Sequence, residues 1–157
     1  MRTGIGYDVH AFEPGRPLLL GGVRIAHESG LAGHSDGDVL THALIDALLC
    51  AAGQGDIGRH FPSGDERFRD ADSLGLLRQT VALIAAQGFT IVNVDATVVA
   101  EAPKLSPHIA AIRSSLAEAL ALEPDAVSVK ATTADRLGAI GRGEGIAALA
   151  IALLDST

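Results

Sequence analysis

Asp8 and His10 stand two residues apart in GIGYDVHAF, a stretch with the composition of a strand. Alternate residues of a strand project to one side, so this carboxylate and this imidazole can converge on one point. A charge among apolar neighbours is costly without a partner, so the strand end is either solvated or faces a cation. His42 offers a third donor, on a predicted helix where Asp38, His42 and Asp46 recur one turn apart on a single face. One carboxylate and two imidazoles suit a zinc-like ion and leave a fourth coordination position for a ligand. Asp46, one turn beyond His42, is then placed to orient that imidazole through its other ring nitrogen. The plain alternative is a solvated D-x-H strand end, because spacing alone does not bring residues 8 and 42 together.

Other motifs are weaker or fail. GHSDGDVLTHA supplies His34, Ser35, Asp36 and Asp38 just ahead of the helix. A calcium loop counted from Asp36 needs Glu at its twelfth position, where Ala47 stands. Helix capping competes with a functional role for Asp36 and Asp38. Gly4 and Gly6 begin a G-x-G, but Val9 replaces the third glycine of a dinucleotide turn. Lys104 and Lys130 are the only lysines, and neither sits in a P-loop. GRGEG at 141–145 could aim backbone amides and Arg142 at a phosphate, or be an ordinary glycine-rich turn.

The elements that must position these residues follow from periodicity. The first 25 residues read as short strands separated by turns, with PLLLGGVRI a hairpin about Gly21-Gly22. Residues 38–52 read as a helix with Asp38 as cap and Gly53 just past its end. A long polar loop, GQGDIGRHFPSGDERFRDAD, follows; loops of this length in a compact domain are functional or mobile. Ser73 is expected to cap a second helix, with Leu74, Leu77, Val81 and Ile84 on one face and Gly88 ending it. FTIVNVDATVV reads as a strand with Val92, Val94, Ala96 and Val98 on its apolar face. Ser106-Pro107 opens a third helix carrying Ile109, Ile112, Leu116 and Leu120. AVSVKATT and the wholly apolar IAALAIALL read as two more strands. The expected class is α/β (α+β), one mixed sheet of four or five strands with helices on one face. An all-apolar strand needs cover on both faces, so the bare face predicts self-association with cyclic symmetry.

Composition narrows the function classes. With 157 residues, 48% apolar and 20% charged, the chain is expected to form one globular domain over residues 1–157. A net charge of −7 with only 12 Lys and Arg argues against a nucleic-acid surface, though not against a small phosphorylated ligand. No apolar run is long enough to cross a bilayer. The single cysteine, Cys50, forms no internal disulfide, and with no recognisable signal peptide the expected location is the cytoplasm.

GYDVHAF, GLAGHSDGDVLTHALIDALL, GDIGRHFP, DADS, NVDATVVAEAPKL, VSVKATTADRLG and GRGEGIA occur in the order found in the 2-C-methyl-D-erythritol 2,4-cyclodiphosphate synthase family. The chain resembles that family along essentially its whole length. The resemblance implies a ferredoxin-like arrangement whose sheets face one another around a threefold axis, in a homotrimer with active sites between subunits. It implies Zn2+ on Asp8, His10 and His42, and a second ion, Mg2+ or Mn2+, at Asp135. It implies that His34 and Thr133 assist the transition state, and that Asp8, Val9, His10, His34 and Ser35 meet the substrate. Asp56, Ile57 and Gly58 would hold the ribose and erythritol parts, beneath a lid of Phe61, Pro62, Ser63, Gly64 and Asp65. Ala100, Glu101, Ala102, Pro103, Lys104, Leu105 and Ser106 would form the cytosine pocket and diphosphate cradle. Thr132, Thr133, Ala134 and Asp135 would bind phosphate, with Ala139 and Arg142 also at the substrate. Arg142 is further implied to line an axial cavity for an isoprenoid diphosphate.

Two positions and the lid depart from the family's pattern: Asp135 replaces a usual Glu, Ala139 a usual aromatic, and FPSGD a more acidic lid. The implied reaction is intramolecular phosphoryl transfer on a cytidine diphosphate-linked methylerythritol phosphate, with the substrate's own 2-phosphate as nucleophile. A zinc phosphohydrolase and a non-catalytic metal-binding trimer are the rival readings.

Overall fold

The computed structural model describes residues 1–156. Seven strands and five α-helices follow one another along it. The opening strand β1 runs unbroken over Arg2–Pro14; the short strands expected there merge because ten consecutive residues pair with the C-terminal strand. Next come the hairpin β2 (Leu18–Leu20) and β3 (Val23–Ile25), turning at Gly21-Gly22 as expected, and then β4 (Ser29–Leu31). Helix α1 covers Val39–Ala52, capped by Asp38 and ended by Gly53 in the left-handed region. The long loop after it is partly ordered by α2 (Ile57–His60) and a 3-10 turn at Glu66–Phe68. Helix α3 (Ser73–Ala86), strand β5 (Phe89–Val99), helix α4 (Ile109–Leu120), strand β6 (Val127–Thr132), the short α5 (Gly138–Gly141) and strand β7 (Gly145–Ser156) complete the chain.

Five strands form one mixed sheet in the order β4-β1-β7-β5-β6, antiparallel except for the parallel β5–β6 pair. Helix α1 lies across β1 and β7, α4 lies against β6, and α3 packs on both helices. The core is aliphatic: Leu40, Leu44, Ile45 and Leu48 from α1 meet Leu77 and Ile84 from α3 and Ile112 and Leu116 from α4, all buried. No helix among the described residues is long and apolar enough to cross a membrane.

Three expectations are corrected. Asp72, not Ser73, caps α3, its carboxylate accepting from the amides of Leu74 and Gly75. The buried face of that helix is Ser73, Leu76, Leu77, Thr80 and Ile84, with Leu74 and Val81 at its margin. In β5 a bulge between Ile91 and Asn93 shifts the alternation, so Val92 is exposed while Val94, Ala96 and Val98 are buried.

The opposite face of the sheet is uncovered in the isolated chain. Ile5 pairs with Ile151 and Tyr7 with Leu149, side by side, and these four side chains are all exposed, Tyr7 at 57% and Ile151 at 52%. An apolar stripe of this kind marks a contact surface in a soluble protein.

Candidate metal centre and the cavities around it

The G-x-G before Asp8 has a packing role. In β1 the residues Gly4, Gly6, Asp8 and His10 share the face toward α1, because strand side chains alternate. A methyl group at Gly4 would lie 2.1 Å from the Ala47 carbonyl oxygen, and one at Gly6 would lie 1.9 Å from that of Ala43. With no Cβ at either position, α1 sits directly on the strand. The next residues of the same face, Asp8 and His10, therefore come within reach of His42 in the first turn of α1.

The three predicted donors meet. His10 Nε2 lies 2.7 Å from Asp8 Oδ2, His42 Nδ1 lies 3.1 Å from the same oxygen, and the two imidazole nitrogens are 3.3 Å apart. Ligands about 2.0–2.2 Å from a tetrahedral zinc stand about 3.3 Å from one another, so the donor set fits such an ion. Among the described residues this is the one cluster of three or more metal-binding side chains that converges in this way.

The remaining nitrogens of the two rings are also committed. His10 Nδ1–H donates to the Ala32 carbonyl, which leaves Nε2 for the centre. Burial works against the charge of Asp8, but hydrogen bonds from His10 and from the doubly protonated form of His42, with the positive charge of both rings, hold its carboxyl below the usual carboxylate range. Burial likewise lowers the pKa of His10, and the bond to Asp8 with its negative charge more than reverses this, so His10 binds its proton more tightly than a free imidazole.

Asp46 does not orient His42. Its Oδ1 accepts from the Ile57 amide at 2.7 Å, fastening the start of α2 to α1. The outer nitrogen of His42 instead faces two hydroxyls, Ser35 Oγ at 3.0 Å and Ser73 Oγ at 2.9 Å. Periodicity on α1 could not reveal Ser73, which arrives from the start of another helix. Its place at the expected start of α3 is the only hint in the sequence, and a capping role accounts equally well for a serine there.

A cavity of about 270 Å³ opens over the centre, lined by Asp8, His10, His34, Ser35 and His42 on one side. Ile57, Gly58, Phe61 and Ser63 line the other, with Phe68 and Leu76, which the sequence did not single out. Phe61 and Phe68 meet edge to face, their centroids 5.4 Å apart. His34 Nε2–H donates to the Asp65 carbonyl at 3.1 Å, tying the residue ahead of α1 to the segment holding Pro62 and Gly64. The Val9 side chain lies on the far face of the sheet; its contribution here is a backbone N–H to Asp8 Oδ1 at 2.9 Å. Asp56 caps α2 through the Arg59 amide.

A second cavity, about 340 Å³, is lined by Ala100, Glu101, Pro103, Lys104, Leu105, Ser106, Thr132 and Thr133, with Ile109 and Ala131. The peptide bond before Pro103 is cis. Glu101 Oε1 accepts from the amides of Ala134 and Arg136 at 2.9 and 3.1 Å, clasping the turn in which Asp135 and Arg136 take left-handed conformations. Asp135 is exposed there, and its amide meets Thr133 Oγ1 at 3.2 Å. Ala139 and Arg142 line neither cavity; the Arg142 guanidinium is paired with Glu144 at 2.6 Å. The two cavities share no residue, yet Val9, Ala147, Val99 and Thr132 follow one another across β1, β7, β5 and β6. Three strand spacings of about 4.8 Å put the two sites about 14 Å apart along that row.

These features define a mixed-sheet α/β protein with a three-donor cation centre in one cavity and a lysine-, threonine- and serine-lined cavity nearby. Residues 1–155 match the sequence profile of the YgbB family, and the chain belongs to it. A 2-C-methyl-D-erythritol 2,4-cyclodiphosphate synthase of Pseudomonas aeruginosa is 60% identical over 154 residues, 98% of either chain. A solved 2C-methyl-D-erythritol-2,4-cyclodiphosphate synthase with CDP bound superposes with a TM-score of 0.90 at 39% identity, over 98% of this chain and 100% of that one. The bifunctional IspDF of Campylobacter jejuni superposes at 0.96 with 47% identity; there the match covers 99% of this chain but 42% of the larger one.

Proposed function

We propose that the protein closes 4-diphosphocytidyl-2-C-methyl-D-erythritol 2-phosphate into 2-C-methyl-D-erythritol 2,4-cyclodiphosphate, releasing CMP, as a step in making isoprenoid precursors. The observation that carries this reading is the convergence of Asp8, His10 and His42, on a chain 60% identical to a synthase of that name. An oxygen of the 2-phosphate forms a bond to the β-phosphorus. The bond from that phosphorus to the α–β bridging oxygen breaks, and CMP leaves with the electron pair. The attacking oxygen is already ionised at neutral pH, so the protein's tasks are to fold a flexible chain into a ring and to neutralise charge.

Asp8, His10 and His42 would hold Zn2+, and Asp135 together with substrate phosphates would hold Mg2+ or Mn2+; bound there, these ions supply Lewis-acid polarisation and charge neutralisation at the diphosphate. The cytidine end occupies the cavity around Ala100, Pro103 and Leu105, with Lys104, Ser106, Thr132 and Thr133 beside the phosphates. Glu101 keeps the residue 132–136 turn in place through its two amide contacts. Ser35 and His34 meet the phosphates at the metal end, and Asp56, Ile57 and Gly58 hold the sugar parts. Phe61 and its neighbours through Asp65 exclude water, which matters because water attacking the same phosphorus would give a linear product.

The protein works as a homotrimer in this reading, packed through the face that carries Ile5, Tyr7, Leu149 and Ile151, with each active site shared between neighbouring chains. The apolar stripe and the separation of the two cavities within one chain support it. Phosphorus NMR of the purified protein with the substrate, zinc and magnesium tests the reaction. The expected product is a cyclic diphosphate appearing in step with CMP; linear phosphates alone would establish a hydrolase, and no CMP at all a non-catalytic metal protein.

A further inference from the structure

The proton on Ser73 Oγ decides how His42 can bind a metal. Ser73 is fully buried, and its hydroxyl is in very close contact with Asp36 Oδ1. A carboxylate only accepts, so the single hydroxyl proton points to Asp36. What Ser73 Oγ then offers His42 Nε2, 2.9 Å away, is a lone pair, and Nε2 must carry the hydrogen that fills it. Asp36 is itself fixed: its Oδ2 accepts the Ser73 amide at 2.9 Å, its Oδ1 accepts the Asp38 amide at 3.1 Å, and its own amide donates to the Ala71 carbonyl.

We propose that the Asp36–Ser73 pair is the positioning device of the metal centre, holding His42 as the Nε2–H tautomer so that Nδ1 presents its lone pair beside Asp8 and His10. This rests on the metal reading given above. The two imidazoles consequently bind through opposite nitrogens: His10 through Nε2, held by the Ala32 carbonyl, and His42 through Nδ1, held by Ser73. Negative charge on Asp36, relayed through one hydroxyl, also makes the His42 ring a better donor. A second consequence concerns Ser35, whose Oγ lies 3.0 Å from the same Nε2–H. As an acceptor there, Ser35 keeps its own proton free for an oxygen atom in the cavity that it lines.

The unmodified protein gives the first test. In metal-free, 15N-labelled protein at mildly alkaline pH, two-bond nitrogen–proton correlations should show neutral His42 protonated at Nε2; protonation at Nδ1 overturns the proposal. The second test is zinc affinity by chelator competition. S73A and D36N should each bind zinc about 10- to 100-fold more weakly, the usual cost of losing a partner behind a metal-bound histidine. S73T, which restores the hydroxyl, should recover most of the loss. A merely structural serine predicts lower thermal stability in S73A with the wild-type tautomer and zinc affinity within twofold, and that result also overturns the proposal. Should S73A fail to fold, the near-isosteric D36N carries the same comparison. Failure of the metal reading looks different: the wild-type protein takes up no zinc although His42 shows the expected tautomer. Loss of cyclase activity alone touches neither measurement.

Discussion

Asp8 and His10 are hydrogen-bonded at 2.7 Å, and the direction of each pKa shift sets how the metal-stripped protein responds to pH. The Asp8 carboxyl is held below its ordinary value, so its stabilising contribution is present above about pH 4 and lost only in stronger acid. His10 is held above its ordinary value; its contribution is complete below about pH 6.5 and is lost as pH rises through the raised value. Metal-stripped protein should therefore lose stability on going from weakly acidic to alkaline pH. Zinc requires the deprotonated imidazole, so the loaded protein should gain stability over the same interval. Thermal melts with and without chelator check these opposite slopes, and parallel curves would contradict the assignment. At the same scale, His42→Ala should remove a donor without removing the helix, since twelve of the fourteen α1 residues are buried and hold it in place. Bound zinc should fall well below one per chain and turnover to background, with the circular dichroism of the fold retained. Normal turnover in chelator-treated buffer would rule out the centre.

At the scale of elements, the contact between β1 and α1 is the critical one. The helix carries His42 and the strand carries the other two donors, so their separation is the separation of the proposed metal ligands. Gly6→Ala places a methyl group 1.9 Å from a helix carbonyl oxygen, and neither backbone can yield without moving. The expected result is destabilisation of about 3 kcal/mol or more, with zinc affinity reduced even though every ligand remains. Denaturant melts and zinc titration of the same preparation measure both; a fully stable variant with unchanged affinity would show that the close approach is dispensable. Asp38 does related work at the end of α1. Fully buried, it accepts from the Thr41 amide at 3.0 Å and from the amides of Gly21 and Gly22 at 3.0 and 2.7 Å, joining the β2–β3 turn to the helix that presents His42.

For the whole molecule, the bare sheet face is the feature that a single chain leaves unresolved. The Ile5–Ile151 and Tyr7–Leu149 pairs stand exposed beside the Lys130–Asp95 ion pair, which closes at 2.7 Å. Burying such a stripe gains about 25 cal/mol per Å², enough to favour association. Ile151→Glu places a charge at its centre. For the proposed trimer, light scattering should show the particle falling from three chain masses to one, with catalytic activity lost and zinc retained, because Asp8, His10 and His42 converge within a single chain. An unchanged particle mass would exclude this face as the proposed contact.

Much of this was legible along the chain because it depends on local periodicity and chemistry. Alternation put Asp8 and His10 on one side of a strand. Asp38 and Gly53 bracketed a helix with His42 in its first turn, and the apolar C-terminal segment required cover on both faces. Which side chains support the centre was decided only in three dimensions. Asp46 has the right spacing on α1 yet serves the Ile57 amide, while Ser73, 31 residues from His42, meets its ring and is itself held by Asp36. The Gly4 and Gly6 pair reads as a failed nucleotide turn until a helix is seen resting on it. Val92 looks inward until the bulge turns it out. Sequence fixes the period of each element, whereas the partner of a polar side chain depends on how separate elements pack, and no spacing within one element encodes that.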